Sequence, residues 1–503
     1  MPNGEIVDTR QGQVRGRRHA RGPLIFQGLP FAAPPLGALR LRPPIQPTAW
    51  AGVRDATTPG PIAPQERMQG STAAMAEDCL YLNVTTPAAD NARRPVLVYV
   101  HAGAFVAGAG SAEAYDGVHL AADQDLVVVS LNYRLGVLGF PPFNLFEAGA
   151  PQNLGLLDQV AALEWVRDNI EGFGGDPDCV TVCGYSAGGW STVALMAMPQ
   201  ARGLFHRAAP QSGAFMYAQS PAAQEVHAET FFAGLELPPE RRCEMLDMPV
   251  ERLLQAQART LTLWQEQIAA DQVVELDFPF TPLRDEVVLR EHPIDSLRKG
   301  ACADLPVLVG TTSNELGAAP FRMALPWARQ IHTRASIEAA IGRLSSPARA
   351  EAIWRGYAAR FADADEAALV GRIRGDWMYR MPAIRIAEAR AATPHGAWMY
   401  CFDVAGGSDS VGDVATHATD VTFWFGSMAV SPYQAFFFGR PPLEAEEDLS
   451  RRMQADLAQF ARTGRCAWPA YGPVGRETMV YGFQTQLVAD LAGAERLLWD
   501  GVV

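Results

Sequence analysis

Cys179, Val180, Thr181, Val182, Cys183, Gly184, Tyr185, Ser186, Ala187, Gly188, Gly189 is a β-rich apolar run that ends in a turn of small residues, and residues 189–198 after it are helix-like. The order is strand, tight turn, helix. Glycines on either side of Ser186 let the chain turn sharply enough to hold the serine in a strained conformation at the strand tip, its hydroxyl exposed and the next backbone N–H facing the same space. A bare G-x-S-x-G arises by chance in chains of this length. The strand before it and the helix after it make this one a nucleophile elbow.

Outward from the elbow, apolar runs alternate with helical patterns. Residues 96–101 lead into a glycine-rich loop, 126–131 into a long loop, 153–169 have helical spacing, and 305–311 read as a further buried strand. With the elbow, this alternation predicts an α/β-hydrolase fold, a mostly parallel central sheet with helices on both faces, and the length fits one large domain with insertions or two to three smaller ones. Two stretches break the rhythm. About 217–299 and 321–394 are rich in Ala, Glu, Arg and Leu at helical spacing and are expected to be helical insertions that cap or wall the site. The proline-rich stretch 43–64 is expected to be an ordered surface loop.

With 503 residues and 48% apolar content the chain can bury a large core. A net charge of −13 argues against nucleic acid and anionic membrane as partners, so the expected partner is a small, neutral molecule. Residues 1–16 carry Glu5, Asp8 and arginines and have no signal-peptide core. The best membrane candidate, 96–109, is short and broken by His101 and glycines, so no span is expected. Seven cysteines, widely spaced and without a C-x-x-C pair, point to neither a metal cage nor a disulfide framework. A reducing compartment is the default.

A serine needs a base to become nucleophilic, and the base needs an acid to fix its tautomer. In this fold the chain order is Ser, acid, His. Of nine histidines, that order leaves His332, His395 and His417. His332 falls in a predicted insertion and His395 in a turn beside Pro394. His417 lies in a loop after the apolar run 398–404 and is favoured, although the residues alone leave a plain surface histidine open. For the acid, the strand at 305–309 runs into Gly310, Thr311, Thr312, Ser313, Asn314, Glu315. A carboxylate just past a strand's C-terminal end is where a parallel sheet builds its site, so Glu315 is preferred to Asp304 at the other end. Past the earlier strand, His101, Ala102, Gly103, Ala104, Phe105 form a small-residue loop. Its Gly103 and Ala104 N–H groups, with that of Ala187, could hold a tetrahedral oxyanion. The spacing Gly103, Gly108, Gly110 does not match a dinucleotide fingerprint.

Several longer strings remain. Phe26 to Ala32 reads F-Q-G-L-P-F-A, followed by Pro34, Pro35, Leu36, Gly37, Leu39 and Arg40. Later come Glu77, Asp78, Cys79, Leu80, Tyr81, Leu82, Asn83, then Asn132, Tyr133, Arg134, Leu135, Gly136, then Asn153, Leu154, Gly155, Leu156, Asp158, Gln159. Phe173, Gly174, Gly175, Asp176, Pro177 precedes the elbow, and Gln211, Ser212, Gly213 follows it. Over nearly its whole length the sequence resembles the type-B carboxylesterases, a family that includes cholinesterases, bacterial para-nitrobenzyl esterases and the non-catalytic neuroligins.

The resemblance implies a serine esterase with Ser186 as nucleophile, Glu315 as acid and His417 as base. Gly103, Ala104 and Ala187 match its oxyanion-hole positions, and Ser212 a serine that supports the acid. Ala102 stands where a glycine is usual, Asn314 where an Asp is usual, and Leu457 where a tryptophan is common. Ala63, Pro64, Gln65 occupies the place of Cys, Pro, Gln, so the disulfide that often involves Cys79 is not expected. A bacterial-type, cytoplasmic enzyme is implied. Neither metal nor organic cofactor is expected. Phe105, Tyr185 and the Phe423 to Phe425 cluster read either as walls of an apolar gorge for neutral, hydrophobic esters or as core packing. Hydrolysis of amides, carbamates or toxin esters is the rival activity. A neuroligin-like binding role is disfavoured by the complete Ser, Glu, His set.

Overall fold

The computed structural model of the chain describes residues 5–67, 72–142, 147, 149–214, 218, 221–269, 278–285, 287–316, 333–407 and 414–502. Its strands are β1 (Ile6–Thr9), β2 (Gly12–Arg15), β3 (Arg17–Arg18), β4 (Leu24–Pro30), β5 (Val53–Asp55), β6 (Tyr81–Thr86), β7 (Arg94–Val100), β8 (Val127–Leu131), β9 (Gly175–Tyr185), β10 (Arg207–Gln211), β11 (Val307–Thr312), β12 (Ala397–Phe402), β13 (Thr478–Tyr481) and β14 (Gln486–Val488). Strands β1, β2 and β5 form a small sheet. The other eleven form one large sheet in the order β14-β13-β12-β11-β10-β9-β7-β8-β6-β4-β3.

From β13 across to β8 every neighbouring pair is parallel, and the antiparallel pairs lie at the two ends. Strands covered on both faces need apolar residues on both, which is why these segments read as continuous β-branched runs without alternation. Successive side chains still point to opposite faces. Val96, Val98 and Val100 pack into one core with the helices Leu154–Asn169, Ala187–Ala197 and Met381–Ala391. Leu97 and Tyr99 pack into the other, with Val421–Phe425 and Glu444–Thr463. The predicted α/β-hydrolase architecture is therefore present, sheet between two helical layers.

The two stretches that break the rhythm differ in kind. In the first, the helices Pro221–Gly234 and Val250–Ala269 pack on each other and bury Phe231, Phe232 and Leu253 against Val106, Ala107 and Val137. In the second, the helices Arg334–Leu344, Pro347–Arg360 and Glu366–Gly375 run into a π-helical turn, Asp376–Arg380, and then into Met381–Ala391. That last helix is no wall: Met381, Ala383, Ile384, Ile386 and Ala387 are core residues under the sheet. Residues 270–277 of the first stretch and 321–332 of the second, His332 included, lie outside the described residues. The stretch 43–64 also contributes β5 to the small sheet, so it is more than a loop.

Candidate active site

Strand β9 ends at Tyr185 and a helix begins at Ala187, leaving Ser186 as the hinge. Its backbone sits at φ 56°, ψ −120°, a costly region for a residue with a Cβ. The strain is held by two hydrogen bonds, Ser186 N–H to Gln211 O at 3.0 Å and Trp190 N–H to Ser186 O at 2.9 Å. The flanking glycines act differently from the sequence reading. Neither Gly184 nor Gly188 has a positive φ; both are required by close approach instead. A Cβ on Gly184 would lie 2.3 Å from Gly188 O, and one on Gly188 only 1.9 Å from Val100 O. Contact this tight presses the start of the helix onto the end of β7, where the small-residue loop begins.

Parallel neighbours end at one edge of a sheet, and β11 and β12 deliver the other two residues to that edge. Glu315 follows β11, and the segment after β12 leads to His417. His417 Nδ1 lies 2.5 Å from Glu315 Oε2, and its Nε2 lies 3.0 Å from Ser186 Oγ. A carboxylate only accepts, so Nδ1 is assigned the proton and Nε2 is left to accept from the serine hydroxyl. The other carboxylate oxygen, Oε1, accepts the Thr312 N–H at 2.8 Å. The loops that carry Glu315 and His417 are also joined through their backbones: His417 N–H and Thr416 Oγ1 donate to Glu315 O at 3.0 and 2.9 Å, and Asn314 N–H donates to Ala415 O at 3.1 Å. Glu315 and His417 are buried, and Ser186 is the partly open member. His395 lies exposed in a turn.

Across the elbow, Gly103, Ala104 and Phe105 all have positive φ, 124°, 52° and 62°. Gly103 has no substitute, because a Cβ there would lie 1.9 Å from Ala107 O. Gln65 grips the loop with both amide atoms, Nε2 donating to Gly108 O at 2.9 Å and Oε1 accepting Gly108 N–H at 2.8 Å. Among the described residues no hydrogen bond consumes the N–H of Gly103, Ala104 or Ala187. Ala187 opens its helix, where the first N–H groups have no intrahelical acceptor. Two sets of donors without an acceptor among the described residues therefore lie at the same end of the sheet as Ser186.

His101 backs this loop. It is buried, its Nδ1–H donates to Ala102 O at 2.7 Å, and its ring stacks on Tyr133 with centroids 4.5 Å apart. Burial pushes its pKa down to about 4, so the folded protein holds it neutral. The stability this contributes is whole above the unfolded value near 6.5 and is lost as pH falls through about 4, at most about 3 kcal/mol. On going from pH 7 to pH 4 the melting temperature should therefore change less favourably in wild type than in His101→Gln. An equal change in both would place the acid lability elsewhere.

Other residues singled out from sequence have plainer surroundings. Phe423 is fully buried against Phe402 and Phe438, centroids 4.9 and 6.0 Å away, so it is core packing and not a gorge wall. Phe105 packs edge-on against Phe140 and Trp190 at 5.3 and 5.5 Å and is also buried. The Ala102 methyl belongs to the aromatic core beside Tyr99 and Tyr115, not to an open pocket. Tyr185 does reach the site, its ring 4.7 Å from that of His417. Ser212 is buried at φ 40°, and its Oγ has no hydrogen-bond partner among the described residues. The carboxylate of Glu315 is held by Thr312 instead.

Three residues beside the site escaped the sequence reading. Tyr379 lies against His417 with centroids 4.6 Å apart, and Arg380 next to it donates to the carbonyls of Thr312 and Ser313 at 3.1 and 2.5 Å. Both sit in the π-helical turn, which no local pattern announces. Asp420, three residues past His417, accepts from Tyr400 OH at 3.3 Å and Trp424 Nε1 at 3.2 Å. Burial, and after it the nearby Glu315, pushes its pKa up to about 6.

The model of the carboxylesterase family matches residues 3–487. The chain belongs to that family. It is 35% identical to the para-nitrobenzyl esterase of Bacillus subtilis (strain 168), over 98% of both chains. A solved structure of a PNB esterase superposes with a TM-score of 0.83 at 36% identity, covering 98% of this chain and 99% of that one. A carboxylesterase of Geobacillus stearothermophilus gives 0.85 at 34% identity with the same coverage. This carboxylesterase is a serine hydrolase of carboxylic esters, acting on small molecules. Among the described residues no helix is long and apolar enough to cross a membrane, and no three His, Cys, Asp or Glu side chains gather as metal ligands.

Proposed function

We propose that Ser186 is the nucleophile, His417 the general base, Glu315 the acid that orients it, and the N–H groups of Gly103, Ala104 and Ala187 the oxyanion hole, within one domain over 1–503. The observation that supports this most strongly is the unbroken chain Glu315 Oε2, His417 Nδ1, His417 Nε2, Ser186 Oγ, at 2.5 and 3.0 Å. His417 takes the hydroxyl proton as Ser186 attacks the ester carbonyl, and the backbone donors receive the charge that forms on the carbonyl oxygen. The imidazolium then protonates the departing alcohol. The same base activates water, which releases the acid from the acyl-enzyme.

The substrates we propose are neutral, hydrophobic esters with an aromatic part. The Bacillus relative's being a para-nitrobenzyl esterase and the tyrosine rings beside His417 favour this class. A reducing, cytoplasmic setting is consistent with all seven cysteines being free thiols. The test is a side-by-side panel of p-nitrophenyl acyl esters, p-nitrobenzyl esters, aryl amides and carbamates. The aryl and benzyl esters should lead in kcat/KM by at least about tenfold, roughly 1.4 kcal/mol of transition-state preference. Amides or carbamates in the lead would overturn the substrate class.

A further inference from the structure

Between the end of β11 and Glu315 lie three peptide units, and the first two are each held at both ends. In the first, Ser313 N–H donates to Phe402 O at 2.8 Å, while Thr312 O accepts from Arg380 Nη2 at 3.1 Å. In the second, Asn314 N–H donates to Ala415 O at 3.1 Å, while Ser313 O accepts from the same Nη2 at 2.5 Å. The N–H of Thr312 in turn holds Oε1 of the acid. One guanidinium thus fixes two of the three carbonyls in the segment that aims Glu315 at His417.

Arg380 is itself anchored. Its Nε lies 3.5 Å from Asp376 Oδ1 one helical turn back, and the side chains of both are largely enclosed, 14% and 13% exposed. Tyr357 OH donates to the other oxygen of Asp376, and Trp499 Nε1 donates to Tyr357 OH at 3.0 Å. A π-helical turn closes its backbone hydrogen bonds over five residues where an α-helix closes them over four, and such turns recur at functional sites. Here the turn Asp376–Arg380 delivers two consecutive side chains to the same constellation: Tyr379 onto the ring of the base, Arg380 onto the backbone of the acid.

We propose that Arg380 is a positioning residue of the esterase, holding Glu315 in line with His417 through the Thr312 and Ser313 carbonyls, with Asp376, Tyr357 and Trp499 as its buried anchor. The proposal rests on the reading of Glu315 as the triad acid. A lysine keeps the charge, but its single nitrogen cannot hold both carbonyls and stay on Asp376, as the guanidinium does through Nη2 and Nε. Misplacing the acid by a fraction of an ångström should slow the chemistry and leave ester binding nearly untouched.

The test is a double-mutant cycle on Arg380→Lys and Glu315→Gln with p-nitrophenyl acetate, with rates taken per mole of protein that melts cooperatively. Arg380→Lys should lower kcat by about ten- to a hundredfold with KM within about twofold. In the Glu315→Gln background the same change should cost less than about twofold, because there is no longer a correctly bonded acid to aim. Arg380→Met combined with Asp376→Asn removes both charges without leaving either buried alone, and should behave like Arg380→Lys. Equal losses in both backgrounds, or a wild-type rate in Arg380→Lys, would overturn the proposal. So would failure of every Arg380 variant to fold, since Arg380 would then serve the fold and not the acid. A near-normal rate in Glu315→Gln alone is a separate result, and it removes the triad reading beneath the proposal.

Discussion

Ser186→Ala is expected to lower kcat/KM on an activated p-nitrophenyl ester by at least about 10⁴-fold, because the hydroxyl that faces His417 Nε2 is gone. The fold should survive. The serine stands at φ 56° whether or not it carries an oxygen, and both of its backbone hydrogen bonds remain. Ser186→Gly gives a second readout, since glycine alone is at ease in this region. It should be as inactive as the alanine variant yet more stable, by about 1 kcal/mol or more if the strain is of ordinary size. A fluorophosphonate should label wild type at Ser186 and neither variant. Turnover retained in Ser186→Ala, or label on another serine, would end the assignment.

Glu315→Gln is the second large effect, a loss on the order of 10³–10⁴-fold in kcat/KM with little change in KM. The isosteric amide can keep its carbonyl oxygen on the Thr312 N–H and so preserve the loop. That leaves an NH₂ facing His417 Nδ1, which must then accept. The proton moves to Nε2, and a protonated Nε2 cannot take one from Ser186. Asp420→Asn is the control. Asp420 is the other buried carboxyl close by, but its Oδ2 serves Tyr400 and Trp424, not the imidazole. Its replacement should change kcat/KM by no more than a fewfold. If Asp420→Asn were the crippled variant and Glu315→Gln nearly normal, the roles of the two carboxyls would be exchanged.

Asp420 also bears on stability. Its folded pKa, pushed up to about 6 from 3.8, means the fold prefers the protonated acid. That contribution is whole below about pH 4 and is lost as pH rises through about 6. It runs opposite to His101, whose contribution is lost on acidification. Two buried groups near the catalytic loops thus pull stability in opposite directions across the same pH window.

The elbow was legible in the sequence because strand, turn and helix are contiguous there. The close approaches that forbid a side chain at 184 and 188 fall on glycines a reader can see. The preference for Glu315 came from a general property of parallel sheets, that useful side chains sit past the C-terminal ends of strands. The choice of His417 over His395 drew on chain order and on family resemblance. The aromatic cluster near 423 could not be divided by inspection: Phe423 is core, while Tyr185 and Tyr379 face the base. A ring's neighbours depend on which side of which helix it leaves, and hydrophobicity alone does not say.

By itself the sequence determined the layered α/β architecture, the place of Ser186 at the strand–helix turn and the small-residue loop beside it, all of which are written in local runs and turns. Tertiary structure alone decided what those parts face. Ser186 and His417 are separated by 231 positions, His417 and Glu315 by 102, and Arg380 and the carbonyls it holds by 67 and 68. These groups meet because β9, β10, β11 and β12 lie side by side in parallel register, which brings their ends to one edge. Strand order is the outcome of how a whole core packs, and no window of sequence short enough to read by pattern contains it.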